Sequence, residues 1–126
     1  MQGYVTNIER DTIDNDDYRR VLFTGPNLQL VLMTLRPGEE IGQEIHEDHD
    51  QFIRIEAGTG EAILNGERHA LEDGSAVVVP AGVEHNIVNT SPGAPLRLYT
   101  LYSPPEHPEG TVQHTKADEA AAHGAK

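Results

Sequence analysis

The sequence of this 126-residue chain predicts an all-β domain, a sandwich or barrel built from many short strands. Two observations support this prediction. Glycine and proline interrupt the chain at short intervals between residues 25 and 93, and the runs between them are rich in β-branched and aliphatic residues. No apolar period of about 3.6 residues, the pattern of an amphipathic helix, persists for ten residues between Tyr18 and Leu101.

The predicted strands follow one another in chain order between these interruptions. They cover residues 21–24, 28–35, 51–56, 61–64, 67–71, 76–79, 84–89 and 96–102. Asn65-Gly66 is a strong signal for a two-residue hairpin turn between the fourth and fifth of them. Because side chains alternate along a strand, we expect Gln29, Val31 and Met33 to line the cavity face of the second strand.

The two ends of the chain differ in composition from this central region. We therefore divide the chain into an N-terminal lead-in (residues 1–17), a barrel (residues 18–102) and a C-terminal arm and tail (residues 103–126). The lead-in is acidic but lacks the glycine and glutamate spacing of a calcium loop, so we expect a solvated segment. We expect residues 103–110 to form an extended arm and residues 116–126 to form a weak helix or to fray.

Charge and composition exclude several classes of function. The chain has 21 acidic and 9 basic residues, a formal charge of -12 that repels phosphate backbones and anionic lipid, so we expect no nucleic-acid and no membrane partner. It has no cysteine, which excludes disulfides, cysteine-ligated zinc, iron–sulfur clusters and thiol nucleophiles. Without a signal-peptide layout or an apolar stretch of about 20 residues, the predicted location is the cytoplasm.

A first histidine-containing segment has the composition of a metal site. Glu44 and His46 lie two residues apart, so on a strand their side chains face the same side. Gln51 follows at an odd spacing, which requires a turn or bulge, and the polar residues 47–50 supply it. Gln51 then begins the next strand beside His46.

A second segment brings another histidine, His85, to the start of a strand. It reads Gly74-x5-Pro80-x-Gly82-x2-His85-x3-Asn89, and the proline and glycine make a tight entry to that strand. This pattern matches completely the second motif of the cupin family, G-x5-P-x-G-x2-H-x3-N. The chain therefore resembles a small single-domain cupin.

The first cupin motif, G-x5-H-x-H-x3–4-E-x6-G, matches in spacing at Gly38, Glu44, His46, Gln51 and Gly58. It departs in identity at two positions, because Glu44 stands where the first histidine is usual and Gln51 where the glutamate is usual. The resemblance covers roughly residues 18–102. It implies a double-stranded β-helix, the cupin jelly-roll barrel, here with an extended C-terminal arm.

The resemblance also implies one divalent metal ion per chain, which would be Mn, Fe, Co, Ni or Zn. Carried over by position, its ligands are Glu44, His46, Gln51 and His85. Two histidines, a glutamate and a glutamine carry one negative charge, as does the usual set of three histidines and a glutamate, and such mixed N/O donors suit these metals. The alternative is a metal-free cupin in which Glu44 and Gln51 form a hydrogen-bonded pair.

Three further histidines each allow alternative roles in the sequence. His49 could act as an acid or base at the barrel mouth or replace Gln51 as a ligand; a solvated loop position is the alternative. His107 and His114 either fold over the barrel mouth or a neighbouring subunit, or belong to an exposed tail.

The resemblance implies a metal-dependent enzyme acting on a small oxygenated metabolite such as a sugar, a uronate or a carboxylate. The chemistry would be Lewis-acid isomerase or lyase chemistry, or dioxygenation. A non-catalytic small-molecule-binding cupin is the alternative. The acidic residues between 39 and 50 oppose a dianionic phosphosugar. We also expect a homodimer, joined through a strand at residues 4–8 or through the arm at residues 103–112.

Overall fold

In the computed structural model, which describes residues 2–124, the chain forms nine strands and two helices. Met1, Ala125 and Lys126, at the ends of the predicted lead-in and tail, lie outside the described residues. The strands are β1 (Arg19–Thr24), β2 (Gln29–Leu35), β3 (Asp50–Ala57), β4 (Gly60–Leu64), β5 (Glu67–Leu71), β6 (Ala76–Val79), β7 (His85–Asn89), β8 (Leu96–Ser103) and β9 (Val112–Gln113). The helices are α1 (Ile8–Asp14) and α2 (Lys116–Gly124).

The strands form two antiparallel sheets that share one hydrophobic core, in the expected jelly roll. The larger sheet has the order β6-β3-β8-β2-β1-β9 and the smaller the order β5-β4-β7. Each of the eight predicted strands is present, with its ends within two residues of the prediction. The hairpin between β4 and β5 turns at Asn65 and Gly66, both at positive φ, as the sequence predicts.

Alternate residues of the larger sheet face the interior, and their register places three polar side chains in one row. Tyr102 of β8 lies opposite Gln29 of β2 on one side and opposite Gln51 of β3 on the other. All three are buried. Val31 and Met33 are also fully buried, so the predicted inward face of β2 is confirmed. The interior therefore contains polar groups that need partners.

The N-terminal segment differs from the sequence prediction. Residues 4–7 form no strand, and α1 begins at Ile8. The side chain of Asn7 accepts a hydrogen bond from the Arg10 amide, a helix N-cap, and the first turn carries Glu9 and Asp11, which suit the positive end of the helix. Thr12 in α1 is fully buried, so the segment is packed rather than wholly solvated.

The C-terminal arm returns to the barrel and becomes part of it. Its strand β9 pairs with β1, with Gln113 opposite Arg19 and Val112 opposite Arg20. The predicted helix at the end of the chain is present as α2. Strand β9 lies at the edge of the larger sheet and pairs through one side with β1, so the dimer contact expected through the arm stays a prediction. Neither described helix is long and apolar enough to cross a membrane.

Candidate metal centre

Backbone hydrogen bonds bring the two histidine-containing segments together. Glu44 and His85 exchange two of them, at 2.8 and 2.9 Å, and the Gly82 amide donates to the carbonyl oxygen of His46 at 2.8 Å. Gly82 has a φ of +85°, a left-handed conformation that is costly for residues with a β-carbon. The glycine of the second motif therefore shapes the turn that fixes one segment against the other.

Three of the four predicted ligands are brought together. Glu44, His46 and His85 each offer a ligand atom, and these atoms lie within 4.8 Å of one another. The Nε2 atom of His46 is 3.7 Å from the Glu44 carboxylate, and the two imidazole rings are 5.2 Å apart. His85 donates from Nδ1 to the carbonyl oxygen of Val83 at 2.9 Å, which leaves its Nε2 atom as an acceptor. Such spacing suits side chains that share one cation.

Gln51, the fourth predicted ligand, is buried in β3 opposite Tyr102, whose ring lies 6.1 Å from that of His46. Its amide nitrogen donates to the Thr100 hydroxyl at 2.9 Å. Its Oε1 atom is buried and has no hydrogen-bond partner among the described residues. No hydrogen bond joins Gln51 to Glu44 among the described residues, which is the pair that the sequence offered as an alternative; the amide nitrogen is bonded to Thr100 and the Oε1 atom is left as a potential ligand.

The electrostatics of Glu44 depend on its neighbours. Although 40% of its side chain is exposed, desolvation raises the pKa of Glu44, and electrostatic interaction with the neighbouring His46 and His85 opposes that rise. A carboxylate that is partly desolvated beside two imidazoles gains from a nearby cation, because a cation favours its charged form.

A second cluster adjoins the first and shares His46 with it. The His49 side chain is only 11% exposed, so the solvated loop position considered for it is wrong. Its Nε2 atom is hydrogen-bonded to Glu106, and the same carboxylate lies 3.3 Å from Nδ1 of His46. A carboxylate at the Nδ1 side of a ligand histidine orients the ring and leaves Nε2 for the metal.

Sequence reasoning missed Glu106 because it belongs to the arm, far from both motifs. Buried Gln29 holds this part of the arm in place. Its Oε1 atom accepts from the Glu106 and His107 amides at 3.1 and 3.0 Å, and its Nε2 atom donates to the His107 carbonyl at 2.8 Å. A glutamine on the inward face of an otherwise apolar strand was the available signal, since a buried amide requires partners.

The remaining arm histidines lie in different surroundings. His107 packs its ring against that of Tyr102 at 5.2 Å, so it covers the polar row of the interior. His114 has a side chain that is 73% exposed and bonds through Nδ1 to Asp17 at 2.6 Å. His107 therefore belongs to the neighbourhood of the candidate site, whereas His114 fastens the arm to the N-terminal segment.

Of the two clusters, the first fits a divalent metal ion better. In the second cluster the Nε2 atom of His49 is hydrogen-bonded to Glu106, and within the described part of the chain only its Nδ1 atom is buried without a hydrogen-bond partner. In the first cluster the Nε2 atoms of two histidines, His46 and His85, are buried beside the Glu44 carboxylate and lack hydrogen-bond partners among the described side chains. Unpaired buried acceptors are costly, and a cation bonded to them would remove that cost. Imidazole and oxygen donors without sulfur fit the metals from manganese to zinc.

Comparisons with known proteins agree with this fold and these motifs. A Cupin domain model matches residues 31–102. An uncharacterized protein of Bacillus subtilis, YrkC, is 49% identical over 94% of this chain and 67% of its own length. The crystal structure of BH2720 from Bacillus halodurans is 42% identical over 95% of both chains, with a TM-score of 0.92. The structure of KdgF from a Halomonas species is 30% identical over 70% of this chain and 78% of its own, with a TM-score of 0.65. The chain belongs to the cupin family.

Proposed function

We propose that this cupin binds one divalent metal ion through Glu44, His46, Gln51 and His85 and acts with it, as an enzyme, on a small oxygenated metabolite. One observation supports the ligand set most strongly. The Nε2 atoms of His46 and His85 are buried beside the Glu44 carboxylate, and the amide oxygen of Gln51 is buried on β3; none of these three atoms has a hydrogen-bond partner among the described side chains. Each such group costs about 1–3 kcal/mol if it stays unpaired.

The metal would supply Lewis-acid chemistry, polarising a carbonyl, hydroxyl or carboxylate oxygen of the substrate for isomerisation or elimination, or dioxygenation if it is redox-active. The chain's own residues supply positioning and proton transfer. Nε2 of His49, held by Glu106, is where we place the acid–base proton. The Tyr102 ring lies nearly perpendicular to the rings of both His46 and His49, and this packing limits the orientations of the two imidazoles.

The charge of the surrounding segment favours a neutral or singly charged substrate, such as a sugar, a uronate or a small carboxylate. Glu40, Glu47, Asp48 and Asp50 are all exposed along the segment that carries the ligands Glu44 and His46. Their combined field repels a doubly charged phosphate ester.

Elemental analysis of the purified protein and of two histidine variants tests this proposal. Wild-type protein is expected to hold about one divalent ion per chain, and His85→Ala to lose it because His85 supplies a ligand. His69→Ala is the matched control, since His69 is exposed on β5 and pairs with Glu67. Full metal occupancy in His85→Ala would refute the ligand assignment.

Non-catalytic binding of a small molecule is the alternative function, and a thermal-shift screen with sugars, uronates and carboxylates distinguishes it. The enzyme proposal expects the stabilisation by an active ligand to fall when the metal is chelated, and that ligand to be converted. If a ligand binds equally well after chelation and no ligand is converted, the protein is a non-catalytic binding protein and the enzyme proposal is wrong.

We further propose a cytoplasmic homodimer. Val78 on the edge strand β6 is 64% exposed and Val5 in the N-terminal segment is 98% exposed, and a second copy could cover such apolar side chains. Light scattering after size-exclusion chromatography is expected to give twice the mass of one chain. A monomer at micromolar concentration would contradict the dimer.

A further inference from the structure

A second charged group lies inside the barrel and plays no part in the proposed ligand set. Arg19 begins β1 opposite Met33, a fully buried core residue, so it shares the inward face of the sheet. Only 3% of its side chain is exposed. A buried guanidinium is costly unless it is paired, so its partners are informative.

The partners of Arg19 come from the C-terminal part of the chain. Its Nη1 atom donates to the Gln113 amide oxygen at 2.7 Å and to the carboxylate of Glu119 on α2. The guanidinium lies 5.2 Å from the centre of the Tyr18 ring. Both the Nε atom of Arg19 and the hydroxyl of Tyr18 are buried and have no hydrogen-bond partner among the side chains that the structure describes, which end at residue 121. Two buried donors, on the adjacent residues Tyr18 and Arg19, therefore have no partner among the described side chains.

The charge of Arg19 reaches the candidate metal centre. Burial opposes that charge, but the hydrogen bond to Glu119 raises the pKa of Arg19 above its ordinary value, so the side chain stays charged. This charge in turn counteracts the rise that burial causes in the pKa of Tyr102 and of Glu44. A ligand anion bound at Arg19 would thus lie in the same electrostatic environment as the metal ligands.

We propose that Arg19 is a carboxylate-binding site in the barrel interior, and that Glu119 of the chain's own helix α2 occupies it until a ligand carboxylate displaces it. Arginine matches a carboxylate because its planar guanidinium can donate two parallel hydrogen bonds. Glu119 is paired at Nη1, whereas a freely oriented carboxylate could also use the Nε donor and the Tyr18 hydroxyl.

Helix α2 is suited to being displaced. It has nine residues, a length at which helices are marginally stable without packing. At the start of the helix, the Asp118 carboxylate accepts hydrogen bonds from the His114 and Thr115 amides at 3.0 and 3.1 Å. Glu119 then acts as a tethered competitor at a local concentration in the millimolar range. Its removal should strengthen carboxylate binding by roughly tenfold, because the ligand no longer competes with it.

This inference deepens the proposed function by naming a monocarboxylate as the substrate class, and it rests on that function only for the fate of the bound ligand. The site itself needs no metal. It is therefore tested on the full chain after treatment with a chelator, so that a failure of the metal proposal would not alter the result. The probe is glycolate, compared with its neutral analogue glycolamide, in isothermal titration calorimetry.

Glu119→Gln is expected to bind glycolate roughly tenfold more tightly than wild type, with glycolamide binding unchanged. Asp118→Asn is the matched control, since it removes one negative charge from the same helix and loosens its start. It should leave glycolate affinity near the wild-type value. Adding Arg19→Lys to Glu119→Gln should abolish the gain, because an ammonium lacks the paired donors of the guanidinium.

Two results would overturn the proposal. Unchanged glycolate affinity in Glu119→Gln would leave the contact between Arg19 and Glu119 as a structural ion pair. Equal gains in Glu119→Gln and Asp118→Asn, or a gain for glycolamide as well, would show that loosening α2 merely opens the barrel. If the variant with Arg19→Lys does not fold, comparing the glycolate affinities of Glu119→Gln and Asp118→Asn still tests the proposal.

Discussion

Replacing Gln29 by leucine should weaken metal binding although Gln29 is not one of the proposed ligands. The substitution keeps the side chain's approximate volume but removes its amide. Three hydrogen bonds to the backbone of Glu106 and His107 disappear, at 3.1, 3.0 and 2.8 Å. Without them the arm loses its attachment to β2, and the Glu106 carboxylate is no longer held against His46 and His49.

The size of the effect follows from these contacts. The substitution also removes the hydrogen bond from Gln29 Nε2 to the Thr24 hydroxyl at 3.0 Å. Four hydrogen bonds at a net 0.5–1.5 kcal/mol each give a loss of about 2–6 kcal/mol in the free energy of unfolding. Loss of a carboxylate that orients a ligand histidine weakens metal affinity by roughly 10–100-fold. The two effects have different causes, so both should be measured.

Urea unfolding of the metal-free chain measures the first effect, and calorimetric titration with a divalent metal such as Zn²⁺ or Mn²⁺ measures the second. Gln113→Leu is the matched control, because Gln113 lies on the same arm but its side chain bonds to Arg19. We expect it to leave metal affinity near the wild-type value. If Gln29→Leu bound the metal as tightly as wild type, the arm would have no role in the metal centre.

Three further predictions concern single side chains. Glu106→Gln keeps the shape of the side chain but removes its charge. It should weaken metal affinity by roughly tenfold in the same titration, while its urea unfolding midpoint stays close to that of wild type. Wild-type metal affinity in this variant would contradict the orienting role of Glu106. Gly82→Ala, at φ +85°, should cost about 1–2 kcal/mol in urea unfolding, whereas Gly93→Ala, at a residue with open space around it, should cost less, and equal costs would argue against backbone strain. Partial burial alone would raise the pKa of Asp17. Hydrogen bonds from His114 and Arg20 outweigh that effect and lower the pKa below its ordinary value of 3.8. Its stabilising contribution is therefore complete above that value and lost as the pH falls through the lowered pKa, so Asp17→Asn should lose less stability than wild type between pH 6 and pH 3; parallel pH profiles would contradict this.

The sequence was sufficient to predict the strands and the meeting of the two motifs. Glycines and prolines mark the ends of the strands, and the resemblance of both motifs to those of cupins implied that the segments of His46 and His85 meet, as their backbone hydrogen bonds show. It also correctly placed Gln51 at the start of a strand after a turn, since β3 begins at Asp50. These features depend on local backbone preferences and on alternation, which a single sequence displays directly.

Features that depend on the path of the arm were not predictable in the same way. Glu106 lies in a proline-rich stretch whose composition resembles a solvated tail, and its position depends on the distant amide of Gln29. Alternation along β1 could place Arg19 inside the barrel, but a charged residue at a strand end is normally exposed. Helix α1, in contrast, could have been predicted from the sequence, because Asn7 is a typical helix N-cap residue. The acidic composition of the segment instead suggested a solvated lead-in.

The most direct test of the central claim is anomalous diffraction from crystals of the metal-loaded protein, which locates the ion itself. We predict a single strong peak bonded to Nε2 of His46 and of His85 at about 2.0–2.3 Å, with oxygen ligands from Glu44 and Gln51. The absence of a peak there, or a peak bonded to His49 and Glu106 instead, would contradict the account.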